Sequence, residues 1–175
     1  QSYPGVTLHQ VEGNMATLMG ALGEAELDIA FVRLPCESSK AFNLRIIDQE
    51  PMVIALARSH PLSSHRELTL EQLTDVAPIL FPREVAPGLY ELVYNSYLRA
   101  GIDMQSAYQS SQISSSLSMV EAGFGFALVP QSMTCITLPN VSYHPLMGTP
   151  LKTDIAIAWR RYERSRTVKR FLAMF

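Results

Sequence analysis

The segment Ser110–Pro130, SSQISSSLSMVEAGFGFALVP, constrains the fold more than any other stretch of the chain. Ile113, Leu117 and Val120 fall at i, i+4 and i+7, one apolar stripe of a helix. Serines crowd its first turns, where backbone N–H groups without intrahelical partners need oxygen acceptors. Gly123 stops the helix, and the nearly all-apolar FGFALV run, closed by Pro130, reads as a buried strand. The helix start is therefore a place prepared for a small anion.

The rest of the chain alternates in the same way. Val6–Val11 reads as a strand and Asn14 as a helix N-cap, followed by the i, i+3, i+4, i+7 stripe Met15, Leu18, Met19, Leu22. Leu27–Val32 is a second apolar run, and strand–helix–strand predicts a βαβ unit with a parallel sheet. Asn43–Asp48 and Met52–Ala57 read as two strands separated by Gln49-Glu50-Pro51. Thr69-Leu70-Glu71-Gln72 matches a capping box and opens a short helix that ends near Asp75. A strand at Ile79–Phe81, a helix at Gly88–Ala100 and a strand at Ala107–Gln109 precede the opening segment. Strands at Val141–His144 and Thr153–Trp159 and a helix at Thr167–Phe175 follow it. This pattern predicts α/β architecture with covered sheets. If the chain forms two lobes, Gln49-Glu50-Pro51 and Thr149-Pro150-Leu151 are the best places for it to cross between them.

Composition removes several classes of function. The 175 residues are 47% apolar, enough for a sizeable core, and 17% charged, below the roughly 25% typical of soluble domains. No uncharged apolar run of about 18 residues marks a membrane span, and the opening QSYPGV lacks the features of a signal peptide. A net charge of −2 gives this piece no basic surface for nucleic acid. Cys36 and Cys135 lie far apart in sequence and do not suggest a disulfide framework, and no metal-ligand spacing exists. Cys36 reads either as a reactive thiol or as an ordinary loop or core cysteine. GxSxG, GxGxxG, P-loop and HExxH motifs are lacking, and His9, His60, His65 and His144 are dispersed. No catalytic residue, metal site or cofactor is expected.

The run YPGVTLHQVEGNMATLMGALGEAELDIAFVR resembles the start of the effector-binding domain of LysR-type transcriptional regulators. MVIALARSHPL, TLEQL and VEAGFGFALVP follow in that family's order and spacing, so the resemblance covers essentially the whole chain. It implies two Rossmann-like lobes with a hinge, like a type II periplasmic binding protein. Lobe I would hold residues 1–49 plus 154–175, and lobe II residues 50–153. LVPQSM and NVSYHPL look most like the branch that senses aromatic-catabolism metabolites. The resemblance further implies a cytoplasmic protein that pairs its effector domains and is a tetramer at full length. Promoter DNA would be bound through a winged helix-turn-helix that this chain lacks. It also implies that the family's first effector-domain strand, and most of the helix after it, would precede QSYPGV. A periplasmic-type solute-binding protein, with the same fold and cleft, is the alternative.

In open α/β sheets ligands sit beyond the carboxyl ends of the strands. Three such places stand out. At Gly13-Asn14-Met15, glycine permits close approach; Asn14 either only caps its helix or also touches the ligand, as the resemblance implies. At Pro82-Arg83, the resemblance places Pro82 at a contact position; Arg83 is a fork for a carboxylate, a solvated arginine or a partner of Glu84. At Ser111-Gln112-Ile113, Ile113 either lines an apolar pocket or simply begins the core stripe. Arg33 either brings positive charge to the cleft or forms a salt bridge between lobes. Phe126 is expected to pack beneath the pocket. The expected effector is a small organic acid, aromatic or dicarboxylic. Tyr90, Tyr94 and Tyr97 offer aromatics for self-association, unless Tyr97 belongs to the lobe's own core.

Overall fold

The computed structural model describes residues 5–36, 40–148 and 151–175. Along the chain these form α1 (Met15–Gly23), β1 (Ile29–Leu34), β2 (Phe42–Ala57), β3 (Ile79–Leu80) and α2 (Pro87–Arg99). Next come β4 (Tyr108–Gln109), α3 (Ile113–Glu121), β5 (Ala127–Pro130), β6 (Val141–Pro145), β7 (Lys152–Arg160) and α4 (Arg166–Leu172).

One strand runs through both halves of the molecule. The first part of β2, Phe42 to Pro51, pairs antiparallel with β7, and β7 pairs on its other side with β1. From Met52 onward β2 changes partners, running between β5 and β6. The change falls at the crossing itself, where the Met52 N–H donates to Leu151 O at 2.9 Å. The two lobes are thus joined by an extended ladder in which Gln49, Glu50 and Pro51 face Asp154, Thr153 and Lys152. Lobe II widens its sheet through Ile79 N–H to Phe126 O (2.8 Å) and the parallel pair β3–β4.

Side-chain alternation explains why Met52–Ala57 carries no polar residue. Met52, Ile54 and Leu56 pack on one face with Leu89, Val93 and Tyr97 of α2 and with Phe126. Val53 and Ala55 pack on the other with Leu117 and Val120 of α3. Lobe I repeats the plan on a smaller scale. Ala156 and Ala158 face Leu22 of α1, while Ile157 faces Val168 and Leu172 of α4. Gly123 takes φ +81° as it ends α3, a conformation that costs glycine little. Gly88 is required for a different reason: a Cβ there would overlap the carbonyl of Pro35, where the start of α2 meets the end of β1.

Several expectations need correction. Val6–Val11 is not a strand; it is irregular, and Leu8 is 76% exposed. Its local pattern finds no neighbour among the described residues, and a strand without one leaves its backbone groups unpaired. The βαβ unit therefore does not form, and β1 is antiparallel to its partner. Asn43–Asp48 and Met52–Ala57 are one strand, because β7 keeps the polar Gln49-Glu50 step extended. The capping-box segment is a single 3₁₀ turn, Leu70–Leu73, closed by the Thr69 N–H donating to Gln72 Oε1 at 2.8 Å. Thr149 and Pro150 of the second crossing lie outside the described residues. Tyr97 is wholly buried, edge-on to Phe126 at 5.3 Å, so it belongs to the core of its own lobe.

Candidate functional site

Two helix starts and one strand end converge between the lobes. Asn14 is extended and accepts the Thr17 N–H on Oδ1 at 2.9 Å, which fixes the first turn of α1. The start of α3 is fastened more heavily. The Gln112 N–H donates to Ser115 Oγ at 2.8 Å. The buried Ser110 hydroxyl lies 2.8 Å from Ser116 Oγ and donates to Gln112 O at 2.9 Å. Ser110, Ser115 and Ser116 thus hold the helix start in place. The N–H groups of each first turn that these caps leave over have no intrahelical acceptor and carry the positive end of the helix dipole.

Between them lies a cavity of about 160 Å³ walled by Gly13, Met15, Leu18, Phe31, Val32, Arg33, Val85, Ala86 and Ile113. Four residues singled out from sequence (Gly13, Met15, Arg33 and Ile113) therefore meet there. Ile113 also packs against both cores of lobe II. Asn14 stands beside the cavity as a cap, and Ser111 and Gln112 are exposed at the α3 start. Pro82 is half-buried on the loop that leads to Val85 and Ala86. Arg83 is not in the wall; its Nε donates to Glu91 Oε1 at 2.7 Å and its side chain is 66% exposed. Phe126 is fully buried in the lobe II core, edge-on to Tyr97.

Arg33 is held at the hinge. It ion-pairs with Glu50 and reaches Ser132 Oγ at 3.4 Å, while the other Glu50 oxygen accepts the Ser132 N–H at 2.8 Å. Burial pushes the Glu50 carboxyl up, but the Ser132 amide and the Arg33 guanidinium outweigh it, and the group titrates below the usual carboxylate range. Glu50 and Ser132 are partners of Arg33 that sequence reasoning missed. The available signal was an acidic residue directly against Pro51 at the edge of an apolar strand. Thr153, opposite Glu50 in the ladder, is buried with no hydrogen-bond partner for its hydroxyl among the described residues.

Two lobes hinged on a strand ladder, with a small cavity where helix starts face each other, define a ligand-binding domain of the periplasmic-binding-protein type. Residues 1–175 match the LysR substrate binding domain family, and the chain belongs to that family as an effector-binding domain. It is 77% identical over 175 residues to the HTH-type transcriptional regulator BudR of Raoultella terrigena, covering all of this chain and 60% of that protein. It is 30% identical over 167 residues to the HTH-type transcriptional regulator BenM of Acinetobacter baylyi, covering 94% and 55%. The BenM effector-binding domain solved with its effector benzoate superposes with a TM-score of 0.82 at 28% identity, covering 99% of this chain and 82% of that one. The chain thus spans little more than half the length of these curated relatives. They are transcriptional regulators, not enzymes or solute-binding proteins, which decides between the two sequence-based alternatives. None of the described helices is long and apolar enough to cross a membrane.

Proposed function

We propose that this domain senses a small organic acid in the cleft between its lobes and relays binding to a DNA-binding domain of the full-length protein. The supporting observation is the cavity itself: apolar walls, two opposed helix starts and one paired arginine. A mostly apolar hollow near 150 Å³ accommodates a single ring, and helix starts favour an anion. A compact monocarboxylate, aliphatic or aromatic, fits better than a dicarboxylate, because Arg33 is already neutralised by Glu50. The benzoate in the BenM domain supports the aromatic choice.

The lobe division (1–49 plus 154–175 against 50–153) makes β2 and β7 the hinge. The ligand shifts the interlobe angle only by its difference in affinity for the two arrangements. The protein acts in the cytoplasm as a homo-oligomer, pairing effector domains and forming a tetramer at full length; light scattering on the domain and on the full-length protein checks this. Asn14, Pro82, Ser111 and Gln112 supply the polar rim, and Arg83 joins it only by leaving Glu91. Titration calorimetry with short aliphatic monocarboxylates, benzoate and dicarboxylates is the test. Saturable binding of at least one acid is expected, abolished by Phe31→Glu at the exposed cavity wall. Absence of heat with every acid sinks the reading.

A further inference from the structure

We propose that lobe I grips DNA through a face of its own: the basic surface of α4 and of the turn before it docks on the phosphate backbone beside the site that the DNA-binding domain holds. The net charge of −2, which from sequence argues against a basic surface, averages over a strong segregation. Six of the 14 lysines and arginines fall within residues 160–170, against one of the 16 acidic residues, Glu163. Glu163 is engaged inside the fold, paired with Arg160 at 2.7 Å and accepting the Ser165 N–H at 2.7 Å. Arg160 is engaged too, reaching Asp28 at 3.1 Å and the Leu22 carbonyl at 3.2 Å. Five cations are left over. Arg161, Arg164, Arg166, Lys169 and Arg170 are all exposed, and none is ion-paired among the described residues.

Helix geometry gathers three of them. Val168 and Leu172 bury one side of α4 in lobe I. Arg166, Lys169 and Arg170, at i, i+3 and i+4, share the opposite side and span about 6 Å along the axis. Helix stability does not account for this arrangement. Like charges at i, i+4 repel, and Arg164 and Arg166 stand at the positive end of the helix, where a cation opposes the dipole. Only Lys169 and Arg170, in the last turn, suit it. A polyanion relieves the repulsion, and guanidinium groups with exposed hydroxyls nearby, here Tyr162, Ser165 and Thr167, are the groups that phosphate contacts use. DNA is the polyanion on the reading given above, on which this proposal rests, that the full-length protein carries a DNA-binding domain. With lobe I held on the duplex, a change of interlobe angle swings lobe II relative to the DNA.

Fluorescence anisotropy of a labelled random-sequence duplex of about 20 base pairs, titrated with this domain alone, tests the proposal. Binding of order 10⁻⁴ M is expected at low salt, with log affinity falling against log salt at a slope of about −2.7 or steeper, about 0.9 for each of three or more phosphates. Arg166→Gln, Lys169→Gln and Arg170→Gln together should weaken binding at least about tenfold and flatten the slope by about two to three. Arg58→Gln, Arg66→Gln and Arg99→Gln together, at exposed lobe II positions, change the net charge equally and should leave both unchanged. Circular dichroism melts confirm that each variant is folded. The same α4 substitutions should flatten the slope of the full-length protein. The proposal is overturned if the domain binds no duplex at low salt, if the lobe II substitutions act as strongly as those in α4, or if polyglutamate or phosphatidylserine vesicles bind as tightly as DNA. Duplex binding by the domain but none by the full-length protein would sink the DNA-binding reading alone, and acid binding in the cleft is measured independently of both.

Discussion

Lobe II and lobe I use the same plan, a sheet between helices, but to different depths. Lobe II sandwiches Met52–Ala57 between two cores, and within it the Leu128 N–H donates to the Tyr97 hydroxyl at 2.9 Å. Lobe I places α1 and α4 over β1 and β7 with smaller clusters, and leaves Val6, Leu8, Val11, Phe31 and Ile46 exposed. The cavity sits where the two meet. Its lobe II walls Ala86 and Ile113 pack on a deep core, while on the lobe I side Val32 belongs to a smaller core and Gly13 and Phe31 are exposed. The cavity therefore has its more deeply packed wall on the lobe II side.

The largest effect that can break this comparison is in lobe II. Phe126→Ala removes a ring packed on Tyr97 and should cost about 3–5 kcal/mol in urea denaturation. A loss under about 1 kcal/mol would mean that lobe II is no firmer than lobe I. Next comes the hinge. Glu50→Gln leaves Arg33 without its counter-charge and should cost about 2–3 kcal/mol, below the roughly 3–5 kcal/mol of a fully buried pair because Arg33 keeps some solvent contact.

The same pair sets a pH response. Glu50 has a folded pKa below its unfolded one, so its contribution is complete above the unfolded value and is lost as pH falls through the folded one. Glu50→Gln should flatten the acid limb of a stability–pH curve. His144 sharpens the lobe comparison. Burial lowers its folded pKa, with Nδ1 2.8 Å from His65 O and Nε2 2.8 Å from Ser142 Oγ. The folded state then binds protons less readily, so lobe II loses stability as pH falls below the ordinary histidine range. His144→Gln should remove that step; an unchanged curve would assign it elsewhere. The smallest effect belongs to Arg83→Ala. This exposed pair with Glu91 should change stability by at most about 0.5 kcal/mol, and acid affinity by less than about twofold unless Arg83 enters the rim.

Much of the fold was written in local patterns. The stripe Ile113, Leu117, Val120, the stop at Gly123 and the FGFALV run fixed α3 and β5, because a helix face and a doubly covered strand each need a specific run of apolar residues. Asn14 could be named as a cap from its place before an apolar stripe. The site was legible in part for the same reason: helix starts can be located from capping residues, and two of those starts do wall the cavity.

What a strand pairs with is not local, and there the sequence stopped. Val6–Val11 alternates well enough for a strand but has no partner among the described residues, whereas the polar Gln49-Glu50-Pro51 stays extended because β7 runs beside it. The partners of the two arginines were decided in the same way. Arg33 and Glu50 are 17 residues apart, and Ser132 lies 99 beyond Arg33. Only packing brings them together, and the same packing turns Arg83 outward to Glu91. Hydrophobic periodicity is a property of neighbouring residues, so the chain alone determines it; ion pairs and cavities are properties of surfaces that meet, so only the tertiary structure decides them.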